Sequence, residues 1–116
     1  MPDRFSNSVE VRFIDHDQVI RDLRQAVAEA KAARPEIVKV LLFGSFVQGN
    51  WTADSDADLF VVVRKEFADI LERGRYAIFA EDIPVDSLVY SETEFEQLSH
   101  DPESFLARNL PSALEL

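Results

Sequence analysis

Three aspartates define the chemistry this chain could perform. Asp56 and Asp58 stand two residues apart where a polar loop enters the apolar run LFVVV (59–63), and Asp86 lies inside a further β-prone run, PVDSLVY (84–90). Residues i and i+2 of a strand face the same side with Cα atoms about 6.5–7 Å apart, so Asp56 and Asp58 put both carboxylates on one face. If the strand carrying Asp86 pairs with theirs, three carboxylates converge. Left unpaired, they repel and raise one another's pKa. A hard divalent cation removes that cost, and Mg²⁺ accepts carboxylate oxygens while keeping positions for phosphate. Two such ions can clamp the attacking and leaving oxygens of a phosphoryl displacement.

The stretch LFGSFVQGNWTADSDADLFVVV (42–63) supplies the complementary half of such a site. Gly44 directly follows an apolar run, where it permits a backbone turn closed to other residues and lets main-chain N–H groups approach a phosphate. The Ser45 hydroxyl can donate to a phosphate oxygen, and the residues after it could open a short helix whose N-terminus favours anions. Donors on one side and metal-binding acids on the other make a socket for a nucleotide polyphosphate.

The elements that must position these groups follow from apolar spacing. Asp15 or Asp17 caps a helix in which Val19, Ile20, Leu23, Ala26, Val27 and Ala30 form one stripe, and Pro35 stops it after Arg34. The run IVKVLLF (37–43) reads as a buried strand ended by Gly44, and 59–63 as a second. Phe67, Ile70, Leu71, Ala77 and Ile78 space a helix over 66–80, with Gly74 at its end or at a kink. A third strand covers 84–90. Ser91-Glu92-Thr93-Glu94 forms a capping box before a helix with Phe95 and Leu98. Asp101-Pro102 offers a cap and a first-turn proline for a closing helix with Phe105, Leu106 and Leu110, and SALEL is left as a tail. Ahead of all this, SVEVRFI (8–14) reads as a short strand or an ordered arm. The expectation is one α+β domain over 1–116, a small mixed β-sheet with helices packed mainly on one face.

Composition narrows the function. With 22 acidic against 12 basic residues the net charge is −10, which argues against direct nucleic-acid binding through phosphate neutralisation. No cysteine is present, so disulfides and thiolate metal sites are excluded. No signal-peptide core or membrane-length apolar stretch is visible, so no membrane association is expected and a cytoplasmic protein is the default. His16 and His100 have no metal-ligand spacing and read as helix-end or surface residues. Trp51 could stack a base, contact a partner or plug its loop, and Asp54 reads as a turn residue.

Gly44-Ser45, ten residues, then Asp56-Ala57-Asp58, with Val85-Asp86-Ser87 downstream, resembles the GSx10DxD pattern of the minimal nucleotidyltransferases, relatives of DNA polymerase β. The resemblance implies the nucleotidyltransferase fold and a transfer assisted by two Mg²⁺ ions with ATP as co-substrate. Asp56 and Asp58 would hold both metals. Asp86 would ligate the catalytic metal and take or orient the acceptor's proton, and Gly44 and Ser45 would bind the β- and γ-phosphates. Gln48 stands where many relatives carry arginine; its amide can hydrogen-bond phosphate but brings no charge. Arg64 and Lys65 are the candidate compensating cations.

Domains of this size resemble the antitoxin half of two-gene modules whose other half is a small helical HEPN-domain RNase. The resemblance implies AMP transfer from ATP to a hydroxyl on that partner. Two other readings stand beside it. One is a binding antitoxin with a weak or silent site that masks its partner. The other is a nucleotidyltransferase acting on a small hydroxylated molecule, a reading that expects a second domain or a homodimer to build the acceptor pocket.

Overall fold

Two apolar runs separated by a polar loop can satisfy their backbones by pairing with each other, and they do. In the computed structural model, which describes residues 15–49, 52 and 55–116, β1 (Ile37–Phe43) and β2 (Ala57–Val63) form an antiparallel ladder with Phe43 opposite Asp58 and Leu41 opposite Phe60. The third strand, β3 (Val85–Ser91), lies parallel to β2 with Asp58 beside Asp86 and Phe60 beside Leu88. Among the described residues the sheet is completed by β4 (Leu114–Glu115), antiparallel to β1, in the order β3-β2-β1-β4.

Central β1 and β2 are buried along most of their length because both faces of the sheet are covered. On one face lie Val40, Leu42, Leu59, Val61 and Val63. The helix α1 (His16–Ala33) packs there through Leu23, Ala26 and Val27, one turn apart on its apolar stripe. Asp15 caps α1 by accepting from the Gln18 N–H (3.1 Å), and Pro35 follows its last residues. On the opposite face lie Leu41, Phe43 and Phe60, together with the buried Leu106. Their cover comes from α3 (Glu92–Ser99) and α4 (Phe105–Asn109) through Phe95, Leu98 and Leu106. The α+β class and mixed sheet expected from sequence are present, with helical cover shared between the two faces.

The capping box forms as expected. Ser91 Oγ accepts from the Glu94 N–H at 3.1 Å, and Glu94 Oε1 accepts from the Ser91 N–H at 2.9 Å. Elsewhere the boundaries shift. The helix expected over 66–80 is only α2 (Ile70–Arg73), followed by a 3-10 turn over Gly74–Tyr76 and then extended chain. Tertiary contacts explain the change: Tyr76 and Ile78 enter the core, the Tyr76 hydroxyl donates to Glu36 (3.0 Å), and the Ile78 N–H donates to Ser87 Oγ (3.0 Å). A continuous helix could not satisfy all three. The closing helix is capped by Ser104, not Asp101, whose carboxylate instead accepts from the Glu103 N–H. The expected tail contributes β4, too short to show a periodicity. The arm at 8–14 lies outside the described residues. No described helix is long and apolar enough to cross a membrane.

Candidate active site

The sheet topology brings three chain segments to one end. There β1 finishes at Phe43 while β2 and β3 begin, and the turn after β1 faces the acids at the head of its neighbours. Asp58 and Asp86 are register partners on adjacent parallel strands, which lie about 4.8 Å apart. Both side chains therefore share a face, the one that also carries Phe43, Phe60 and Tyr90. Asp56 precedes β2 by one residue and is exposed.

The electrostatics follow from this crowding. The Asp58 carboxyl is pushed above the ordinary carboxylate range, first by desolvation and then by the charges of Asp86 and Asp56. Among the described residues no lysine or arginine forms an ion pair with Asp58 or Asp86. Arg64 and Lys65, considered from sequence as compensating cations, lie past the far end of β2, where they pair with Glu92 and Glu72. Five strand residues lie between Asp58 and Arg64, which puts them on the order of 20 Å apart.

Gly44 meets both demands made of it. Its φ is +86°, and a Cβ there would lie 2.6 Å from Asp58 Oδ2, so any side chain would strike the carboxylate. The turn it begins is closed by the Gln48 N–H donating to the Gly44 carbonyl (3.2 Å) and the Gly49 N–H to that of Phe46 (3.3 Å). Phe46 is buried and its ring lies 4.7 Å from that of His16, at the start of α1. That contact pins the turn to the helix, so His16 serves packing at a helix end. Ser45 is half-buried and Gln48 exposed on this turn. On the other side of the loop, Thr52 and Ser55 hydrogen-bond each other just ahead of Asp56. Trp51 and Asp54 lie outside the described residues.

The donor set, three carboxylates with a turn of backbone N–H groups, fits a hard divalent cation and a phosphate chain. Among the described residues no three acids or histidines are drawn together into a ready-made metal cage. The chemistry of the donors fits the metal; the cage is not closed.

Comparison with known proteins bears on this arrangement. The sequence profile of the nucleotidyltransferase domain matches residues 20–109, from within α1 to the end of α4. The chain belongs to the nucleotidyltransferase domain family. A protein of Methanocaldococcus jannaschii provisionally named a protein adenylyltransferase is 28% identical over 64 residues, 55% of this chain and 64% of that relative. The chain thus matches just under two thirds of the relative's length. A solved structure of a provisionally assigned nucleotidyltransferase from Sulfolobus solfataricus superposes with a TM-score of 0.53 at 23% identity, covering 73% of this chain and 82% of the other. That likeness shows the nucleotidyltransferase fold.

Proposed function

We propose that this nucleotidyltransferase domain transfers AMP from Mg-ATP to a hydroxyl group on a partner protein. The observation that carries the reading is the register pairing of Asp58 with Asp86, with Gly44 pressed against Asp58. Carboxylates crowded in this way destabilise a fold and are retained where chemistry needs them.

The acceptor oxygen attacks the α-phosphorus, the bond from that phosphorus to the bridging oxygen breaks, and pyrophosphate leaves with the electron pair. Asp86 holds the acceptor hydroxyl and takes its proton. The Gly44–Ser45 turn orients the β- and γ-phosphates through backbone N–H groups and the serine hydroxyl, with Gln48 as an uncharged further donor. Asp56, Asp58 and Asp86 would hold Mg²⁺, which when bound neutralises the three carboxylates and stabilises charge on the transferring phosphoryl group.

A protein acceptor is supported by the name carried by the Methanocaldococcus jannaschii relative and by the net charge of −10, which opposes a nucleic-acid acceptor. A small helical HEPN-type protein is the partner this reading favours, with the chain acting as its antitoxin. The uncharged Gln48 favours one alternative, a masking protein with a silent site. The deciding experiment incubates the protein and its co-purified partner with Mg²⁺ and ATP labelled at the α-phosphate, beside Asp58→Asn. Label on the partner with wild type and none with the variant is the expected result. No transfer to a partner that still binds would replace transferase with masking protein.

A further inference from the structure

The acid-bearing face continues into an aromatic cluster that the transfer chemistry leaves unused. Phe43 sits opposite Asp58 in the ladder, and Phe60 follows Asp58 by two residues on the same face. Their rings stack at 3.9 Å with an interplanar angle of 7°, and both are buried. Phe105 stands edge-on to both, at 5.6 Å from Phe43 and 6.2 Å from Phe60. Unlike them it is 49% exposed. Leu88, the register partner of Phe60 and two residues beyond Asp86, is also exposed on this face.

Anchoring of α4 does not require that exposed ring. The neighbouring Leu106 is fully buried, and Ser104 fixes the start of α4 by accepting from the Ala107 N–H (3.0 Å) and donating to the Leu98 carbonyl (2.7 Å). Phe105 is thus held on an anchored first turn, edge-on to Phe43, the ladder partner of Asp58. A rigid ring with a free side, next to a phosphate socket, suits the flat base of a nucleotide at little cost in ordering.

We propose that Phe105 forms the platform on which the base of the bound nucleotide stacks. This rests on the nucleotidyl-transfer reading of the acids, and the test separates the two. Equilibrium binding of Mg-ATP and of Mg-tripolyphosphate, which has no base, is measured for wild type, Phe105→Leu and Phe105→Tyr, with thermal melting of each. Loss of base stacking in Phe105→Leu weakens Mg-ATP about five- to tenfold or more. Mg-tripolyphosphate binding stays the same, and Phe105→Tyr stays near wild type. Unchanged Mg-ATP affinity in a folded Phe105→Leu overturns the platform and leaves the phosphate site standing, as does wild type binding both ligands equally. Parallel loss of both ligands in Phe105→Leu makes the ring a structural prop and also overturns it. Failure of wild type to bind either ligand removes the site reading and the platform together.

Discussion

Gly44 and Asp58 form a coupled pair, each intelligible only through the other. Asp58 sits in a partly desolvated position beside two like charges, and Gly44 leaves the room its carboxylate occupies. Replacing Gly44 by alanine forces a side chain into the left-handed region at φ +86° and into the 2.6 Å gap to Oδ2. The expected cost is about 1–3 kcal/mol of stability, with transfer activity lost as Asp58 is displaced. Urea denaturation beside the activity assay checks both. Asp58→Asn should do the opposite to the fold. A carboxyl whose folded pKa is raised opposes folding when ionised, fully above that pKa, and the penalty fades as pH falls toward the ordinary value of 3.8. In metal-free buffer at neutral pH the variant therefore melts at or above the wild-type temperature, and the gap closes in acid. Added Mg²⁺ should raise the wild-type melting temperature and leave Asp58→Asn unmoved. A variant less stable than wild type at every pH would mean the carboxylate is structural.

At the scale of elements, the crossover from β2 to β3 is what makes Asp86 a neighbour of Asp58, and the Arg73–Glu94 pair holds one side of it. Arg73 at the end of α2 gives two parallel hydrogen bonds to Glu94 (2.7 and 2.6 Å) and a third to the Val89 carbonyl (2.9 Å), tying the crossover to β3 and α3. The Arg73 guanidinium leads in holding the Glu94 carboxyl down at about 2, from 4.5. A depressed pKa stabilises the fold above the unfolded value and ceases to do so as pH falls through the folded one, so the window runs from about 4.5 down to about 2. Glu94→Gln keeps a side chain that can complete the capping box and removes the charge. It should cost about 1–2 kcal/mol at pH 7 after allowance for solvent screening, with the difference shrinking across that window. Denaturant titrations of both proteins from pH 7 to 2.5 give the comparison. The capping box was legible because it is local, spelled by Ser91 and Glu94 three residues apart. The same holds for α1, β1 and the acids at the head of β2. The crossover was not legible: Phe67, Ile70 and Leu71 imitate a helical stripe, yet Ile70 and Leu71 end up 79% and 82% exposed. What decides that segment is where Tyr76 and Ile78 enter the core, a demand made by distant residues. Parallel pairing placed Asp86 beside Asp58 in a register that spacing could suggest but not fix. In the sequence Phe105 is one apolar residue of the closing helix beside Leu106 and Leu110, and nothing local distinguishes a half-covered ring from a buried one.

For the molecule as a whole, charge selects what can approach the acids. Twenty-two acidic against twelve basic side chains leave −10, and the field of such a surface repels polyanions while it accelerates the arrival of a basic partner. Bound Mg²⁺ would offset the carboxylates locally and leave the rest of the surface negative. A nucleotide, small and delivered with its cation, is admitted on those terms, whereas an RNA strand must lay many phosphates along the same surface. Label from ATP should therefore appear on protein and not on added single-stranded RNA. The initial rate of transfer to the partner should fall severalfold as ionic strength rises from about 0.05 to about 0.5 M, because the Debye length shrinks from roughly 14 Å to roughly 4 Å. The control is Mg-ATP affinity, which should change far less over the same range because its contacts lie within a few ångströms. Transfer insensitive to salt would assign partner capture to apolar contact instead, and the exposed Ile70, Leu71 and Phe79 would be the first residues to replace.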